Sequence, residues 1–153
     1  MVQKYTLHTH TVGFDGRNSV SSMIETAEKA GLTTIGISNH FIVNPVIKKS
    51  KLYKFALLRG YDNIYASSFE EVLNRYIPHS AEIDSLREKY PTMRILRGME
   101  VDFFNTKYWH DGFEMAVKIL KPDYIIGAAH FVEYGGVPLP FQHLQYFAAH
   151  RFC

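Results

Sequence analysis

Short apolar runs alternate along this chain with longer stretches whose apolar residues fall at helical spacing. Strands are expected over about 3–8, 33–37, 93–99 and 123–127, and 33–37 has the apolar, β-branched content of a buried one. Between the first two, Ser19 can cap a helix to about residue 29, with Val20, Met23, Ile24, Ala27 and Ala30 on one side. Gly31 suits the left-handed residue that follows a helix. Ser68 and Glu71 mark a second helix start, with Val72, Tyr76, Ile83, Leu86 and Tyr90 as its apolar stripe. Pro78 falls inside that stripe and predicts a kink or a split, and Pro91 ends it. A third helix is expected over about 111–120. The stretch 41–66 has poor periodicity and reads as a long loop with some local helix near 53–58. Strands alternating with helices predict an α/β fold with a parallel sheet and right-handed crossovers, about four strands in all. After residue 130 the pattern fades into a turn-like stretch, Gly135 to Pro140.

Composition narrows the class. A chain of 153 residues with 46% hydrophobic and 14% aromatic content can bury one domain's core. The formal net charge of +2 gives no argument for a nucleic-acid or membrane partner. One cysteine, Cys153, allows no intrachain disulfide and fits a reducing compartment. No apolar run suits a signal peptide or a bilayer span, so a cytoplasmic setting is expected.

The polar residues change the picture more. Strand one leads to His8 and His10, strand two to His40, strand three to Glu100, and strand four to His130 just beyond it. In parallel α/β folds the carboxyl ends of the strands share one rim, where sites are built. His8 and His10, two apart on extended chain, share a face. Alone this pair means little, because 8 histidines in 153 residues supply roughly 0.4 His-x-His pairs by chance. Each residue also has an ordinary reading: His40 as a loop hydrogen-bonder, Glu100 as a solvated carboxylate, His130 as a packing histidine after small residues, Asp15 as a turn aspartate. Together those readings require every strand end to carry a metal-ligand type for unrelated reasons. A shared metal cluster accounts for all of them at once.

The segments His8-Thr9-His10-Thr11, Asp15-Gly16, Ser38-Asn39-His40, Leu96-Arg97-Gly98-Met99-Glu100-Val101-Asp102 and Ile125-Ile126-Gly127-Ala128-Ala129-His130 resemble successive motifs of the polymerase-and-histidinol-phosphatase (PHP) family, most of all its histidinol-phosphatase branch. The resemblance runs from about residue 5 to 132. It implies a distorted seven-stranded β/α barrel with two or three divalent ions, zinc, manganese or iron. It implies that His8, His10 and Glu100 hold a first ion, that Glu100 bridges to a second bound also by His130, and that Asp15 and His40 serve a third. Glu100 and His130 then stand at the catalytic centre. The implied reaction is phosphate monoester hydrolysis by metal-activated water, with L-histidinol phosphate of histidine biosynthesis as substrate. Arg17, close to Asp15, is a candidate for holding the phosphate, while the lysines at 48, 49, 51 and 54 and Arg59 read as a solvated face.

The sequence also departs from the family. Members carry a further ligand histidine and an Asp-x-His pair near the C-terminus. After His130 the only acidic residue here is Glu133, and His143 and His150 lack the right context. The expected organisation is the front part of a PHP domain at 1–132 and an irregular tail at 133–153, either truncated or frame-shifted, or completed by another chain. An open sheet edge predicts association into a homo-oligomer. Two other functions stay open: a PHP phosphodiesterase, and a catalytically inactive metal-binding fragment.

Overall fold

The computed structural model describes residues 4–60, 62–134 and 137–140. In chain order its elements are β1 (Tyr5–Thr6), α1 (Val20–Lys29), β2 (Thr34–Ile37), β3 (His40–Val43), α2 (Lys51–Arg59), β4 (Tyr65–Ala66), α3 (Phe69–Lys89), β5 (Arg94–Asp102), α4 (Lys107–Leu120), β6 (Tyr124–Ala128), β7 (Phe131–Tyr134) and β8 (Val137–Pro140). Strands β1 to β6 form one six-stranded sheet whose pairings are all parallel. The α/β class is therefore as expected, with a sheet richer than four strands.

The two additional strands come from the region read as a loop. Ile37 pairs with Arg97 and His40 pairs with Glu100, so β2 and β3 keep one register along β5 despite the break at Ser38-Asn39. The short β1 and β4 line the other side of that composite strand. The sheet is thus four strand positions wide, the four that periodicity found. What periodicity missed is that the second position continues through Phe41, Ile42 and Val43, all buried. His40 consequently opens β3 rather than closing β2. Glu100 likewise lies inside β5, which is paired on both edges there and runs on to Asp102.

Helix caps follow the sequence closely. Ser19 and Ser68 accept hydrogen bonds from the backbone N–H groups of Ser22 and Glu71. Helix α3 passes through Pro78 without splitting. Pro78 and Asn74, four residues earlier, both lie on the exposed side, where water can serve the carbonyl that the proline leaves unpaired. The stretch after residue 130, read as turn-like, holds β7 and β8 paired as an antiparallel hairpin. Glu133 falls in that hairpin, while His143, His150 and Cys153 lie outside the described residues. Among the described residues no helix is long and apolar enough to cross a membrane.

Side-chain alternation divides the sheet into two faces. Ile35 and Ile37 of β2 and Ile95 of β5 face helices α1 and α3, joining Val20, Ile24, Ala27, Ile83 and Leu86 in one core cluster. Burying a side chain of this size is worth about 1.5–3 kcal/mol, so this cluster fixes the helical layer. Gly36, Gly98, Glu100 and Asp102 alternate onto the opposite face. There the Tyr124 ring lies flat across two strands. A Cβ on Gly36 would sit 2.2 Å from the Tyr124 hydroxyl, and one on Gly98 would sit 2.3 Å from its ring. The hydroxyl donates to the Leu7 carbonyl, tying β6 to the chain just before His8.

Candidate metal centre

His8, His10, Asp15, His40, Glu100 and His130 converge on this second face, at the carboxyl ends of β1, β5 and β6 and the start of β3. They form three overlapping groups: His8, His10 and Glu100; His10, Asp15 and His40; and His40, Glu100 and His130. Within each group one ligand atom per residue lies within 4.8 Å of the others. The first group is the one the PHP resemblance implies. The other two share more than it implies, because His10 joins Asp15 and His40, and His40 joins Glu100 and His130.

Glu100 is the hub. Its side chain is 6% exposed, and its register against β3 and β6 aims it into the cluster. Oε1 stands 3.3 Å from His8 Nε2 and 3.7 Å from His130 Nε2. Oε2 stands 3.1 Å from His10 Nε2 and 2.9 Å from His40 Nδ1. These are ion-pair distances, yet Glu100 Oε2 and His40 Nδ1 are both buried without a properly aligned hydrogen bond. Two such atoms facing one another carry a desolvation cost that a cation between them would remove.

The spacing fits that cation. Ligand atoms about 2.0–2.1 Å from a tetrahedral ion lie about 3.3 Å apart. His8 Nε2 and His10 Nε2 are 3.1 Å apart, and their contacts with Glu100 are 3.3 and 3.1 Å. Two imidazole lone pairs do not approach so closely without a proton or an ion between them. The donor set of imidazole and carboxylate suits zinc, manganese or iron.

Asp15 reaches the cluster through a compact loop. The backbone N–H groups of Phe14 and Gly16 donate to the Thr11 carbonyl, and that of Val12 donates to Asn18. Gly16 rests on residue 10 so closely that a Cβ would lie 2.3 Å from the His10 carbonyl oxygen. Asp15 Oδ1 then meets His10 Nδ1 at 2.7 Å and Oδ2 meets His40 Nε2 at 3.1 Å. Burial favours the neutral acid, but the hydrogen bonds from His10 and His40 outweigh it and hold the Asp15 carboxyl well below the usual range. Burial also opposes the His10 imidazolium. Asp15 and Glu100 outweigh that and raise its pKa.

Behind the loop stands a support that the sequence did not announce. Asn39, 1% exposed, accepts from the Thr11 backbone N–H at 2.8 Å and donates to the Thr11 hydroxyl at 3.0 Å. Its amide also lies 2.9 Å from His79 Nε2, and Tyr76 donates to its carbonyl at 2.6 Å. Burial lowers the His79 pKa to about 4, so this histidine is a neutral acceptor at physiological pH. Nothing in the α3 pattern marks His79, because its partner lies 40 residues away.

Asp102 was legible but received no role. Two residues beyond Glu100 on a strand, it must share Glu100's face. It is 2% exposed and touches His130. Arg17, the expected phosphate contact, is exposed and makes no hydrogen bond or ion pair among the described residues. No lysine or arginine enters the cluster among the described residues, so its carboxylates and imidazoles face no resident cation. No protein-family model matches the chain, and no curated protein matches it significantly.

Proposed function

We propose that this chain is a metal-dependent phosphate monoester hydrolase of the PHP type, acting on L-histidinol phosphate. The observation that carries the reading is the three-fold overlap of ligand groups around one buried carboxylate, Glu100. Each group offers three protein ligands, which leaves coordination positions for water and substrate, as in catalytic rather than structural sites.

Charge favours metal use over direct anion binding. Asp15, Glu100 and Asp102 put three negative charges at the cluster, which repels a phosphate unless cations intervene. One divalent ion leaves the site net negative with neutral histidines, and two make it net positive. The reading therefore requires at least two ions. Bound there, such ions would supply a water of near-neutral pKa and would offset the charge on the phosphoryl oxygens.

The chain's own residues do the positioning. Glu100 places Oε1 near His8 and His130 and Oε2 near His10 and His40, so it would be the ligand shared by the group with His8 and His10 and the group with His40 and His130. His130, with its side chain 43% exposed, borders the open side where substrate would enter. No arginine is assigned to the phosphate, since Arg17 makes no contact with the cluster.

The reading extends to the sheet as the first part of the distorted barrel, and to a homo-oligomer. Strand β6 pairs with β5 on one edge and, among the described residues, has no strand on the other. Beside it Ile125, Met115 and Ile119 are 44–48% exposed. An unpaired strand flanked by apolar side chains invites association, and a cytoplasmic setting fits the single cysteine.

The test is metal analysis of the purified chain, then turnover of histidinol phosphate, a simple aryl phosphate and a single-stranded oligonucleotide. Two or more ions per chain with monoesterase activity are expected. Oligonucleotide cleavage alone would move the assignment to a phosphodiesterase. Bound metal without any turnover would mark an inert metal-binding fragment, and no binding after reloading would remove the metal reading.

A further inference from the structure

We infer that Asp102 is a positioning residue that fixes the ring orientation and tautomer of His130, so that His130 Nε2 is held unprotonated toward Glu100. This rests on the metal-centre reading above and adds a residue to it.

Both oxygens of Asp102 are committed to one residue. Oδ1 accepts the His130 backbone N–H at 2.8 Å, and Oδ2 lies 2.8 Å from His130 Nδ1. One carboxylate therefore clasps the main chain and the ring of the same histidine, which removes rotation about both side-chain bonds. A carboxylate only accepts, so the proton on this contact must sit on His130 Nδ1. In the neutral ring Nε2 is then the lone-pair nitrogen. It points into the cluster, 3.7 Å from Glu100 Oε1, with the His40 ring packed edge-on at 4.9 Å.

The clasp matters more here than elsewhere in the cluster. His130 lies outside β6, in the exposed two-residue link to β7, and no strand pairing fixes it. Asp102 by contrast is 2% exposed at the end of β5, paired with Ala128. A rigid buried carboxylate thus carries the geometry of the sheet to a ligand that has left it. No lysine or arginine contacts Asp102 among the described residues, so its buried charge has this histidine as its partner. Carboxylates that orient a metal-binding imidazole through its second nitrogen affect ion affinity about 10–100-fold.

The test uses the full chain freed of metal, titrated calorimetrically with Zn²⁺ and separately with Mn²⁺. Its variant is Asp102→Asn, whose carboxamide has the same shape. The amide oxygen keeps the backbone bond, while its NH₂ faces His130 Nδ1 and drives the ring proton to Nε2. Affinity at one ion site should fall about 10–100-fold, with the remaining site or sites unchanged. Nitrogen NMR of the His130 ring, recorded above the pH at which the ring loses its charge, should show the Nδ1–H tautomer in the wild type and the Nε2–H tautomer in Asp102→Asn. The wild-type tautomer stands as a readout even if the variant folds poorly. An Nε2–H tautomer in the wild type, or unchanged affinity at every site in Asp102→Asn, would overturn the inference while leaving the metal centre intact. A wild type that binds neither ion would overturn the metal centre and this inference with it.

Discussion

The two halves of the cluster are held in different ways. His10, Asp15 and His40 sit against the protein, with side chains 18, 28 and 10% exposed. Their hydrogen bonds run to one another, and the loop carrying Asp15 is locked through Thr11 to buried Asn39. His8 and His130 stand in the open, with side chains 52 and 43% exposed. His8 is held through its neighbours, by Tyr124 on the Leu7 carbonyl and by Thr9 on Gly36 and Ser38, and His130 is held by Asp102. The buried half is self-compensated and keeps its shape by packing. The open half depends on tethers and is the face exposed to solvent. Glu100 belongs to both, so removing it should have the largest effect of any change in the cluster. Glu100→Gln keeps the volume and deletes the shared charge. We expect the loss of at least one ion per chain by elemental analysis, and a fall in phosphatase turnover of about 10²–10³-fold, equivalent to several kcal/mol. Full metal content in Glu100→Gln would mean that the two halves bind independently.

Acid should open the buried half first. His79 supports it from behind through Asn39, and its pKa falls from 6.5 to about 4 on folding because burial disfavours the imidazolium. Between those two values the unfolded chain binds more protons than the folded one. In the metal-free protein stability should therefore fall as pH drops from about 6.5 to about 4, by about 3 kcal/mol in all. His10 and His130 have raised pKa values, so their contribution is present in acid and fades as pH rises through those values. Asp15 is held low, so its contribution is lost only below its ordinary value of 3.8. Glu71 is also held low, so its contribution starts to fall below its ordinary value of 4.5, and among the shifted groups the window above 4.5 isolates His79. Denaturant melts across pH 4–6.5 should show the decline, and His79→Gln should flatten it. An unchanged slope in His79→Gln would place the acid sensitivity elsewhere. Amide exchange should show the 11–16 loop losing protection before β6 does.

Glycine substitutions probe the same contrast through the backbone. Gly16→Ala drives a Cβ to 2.3 Å from the His10 carbonyl oxygen, a contact that only backbone movement can relieve. A cost of about 1–3 kcal/mol is expected, together with weaker binding by the His10, Asp15 and His40 group. Gly127 in β6 has nothing within 4 Å of such a Cβ. Gly127→Ala should stay within about 0.5 kcal/mol of the parent in thermal melts. Equal costs at the two positions would contradict the close packing of the Asp15 loop against residue 10.

How much of this could be read from the chain depends on how local each signal is. The cap of α1 at Ser19 and the positions of β2, β5 and β6 follow from periodicity and capping chemistry over a few residues. Five of the six candidate ligands were legible because strand ends in a parallel sheet share a rim, so position along the chain translates into position in space, and Asp15 only through the resemblance of its motif. Asp102 was within reach of the same period-two argument that relates His8 to His10. Strand β3 was missed because Ser38-Asn39 interrupts an otherwise continuous line, and β4 because two residues carry no periodicity. Asn39, His79 and Tyr124 act across 28 to 117 residues of sequence. Only the packed fold brings their partners together, and no window along the chain contains both ends of such a contact.

Tyr124 offers the smallest and most selective test of the open half. Its ring occupies the flat track over Gly36 and Gly98, and its hydroxyl donates to the Leu7 carbonyl, one residue before His8. Tyr124→Phe keeps the ring on its track and removes only that hydrogen bond. A net hydrogen bond of this kind is worth about 0.5–1.5 kcal/mol, so the melting temperature should drop by a few degrees at most. The informative readout is where binding weakens. If the tether positions His8, the ion held by His8, His10 and Glu100 should bind a few-fold less tightly, while the site built on Asp15 and His40 keeps its affinity. Because His10 belongs to both groups, a general loosening of the loop would weaken both. Equal losses at the two sites would show that the exposed ligands draw their order from the packed loop rather than from a tether of their own.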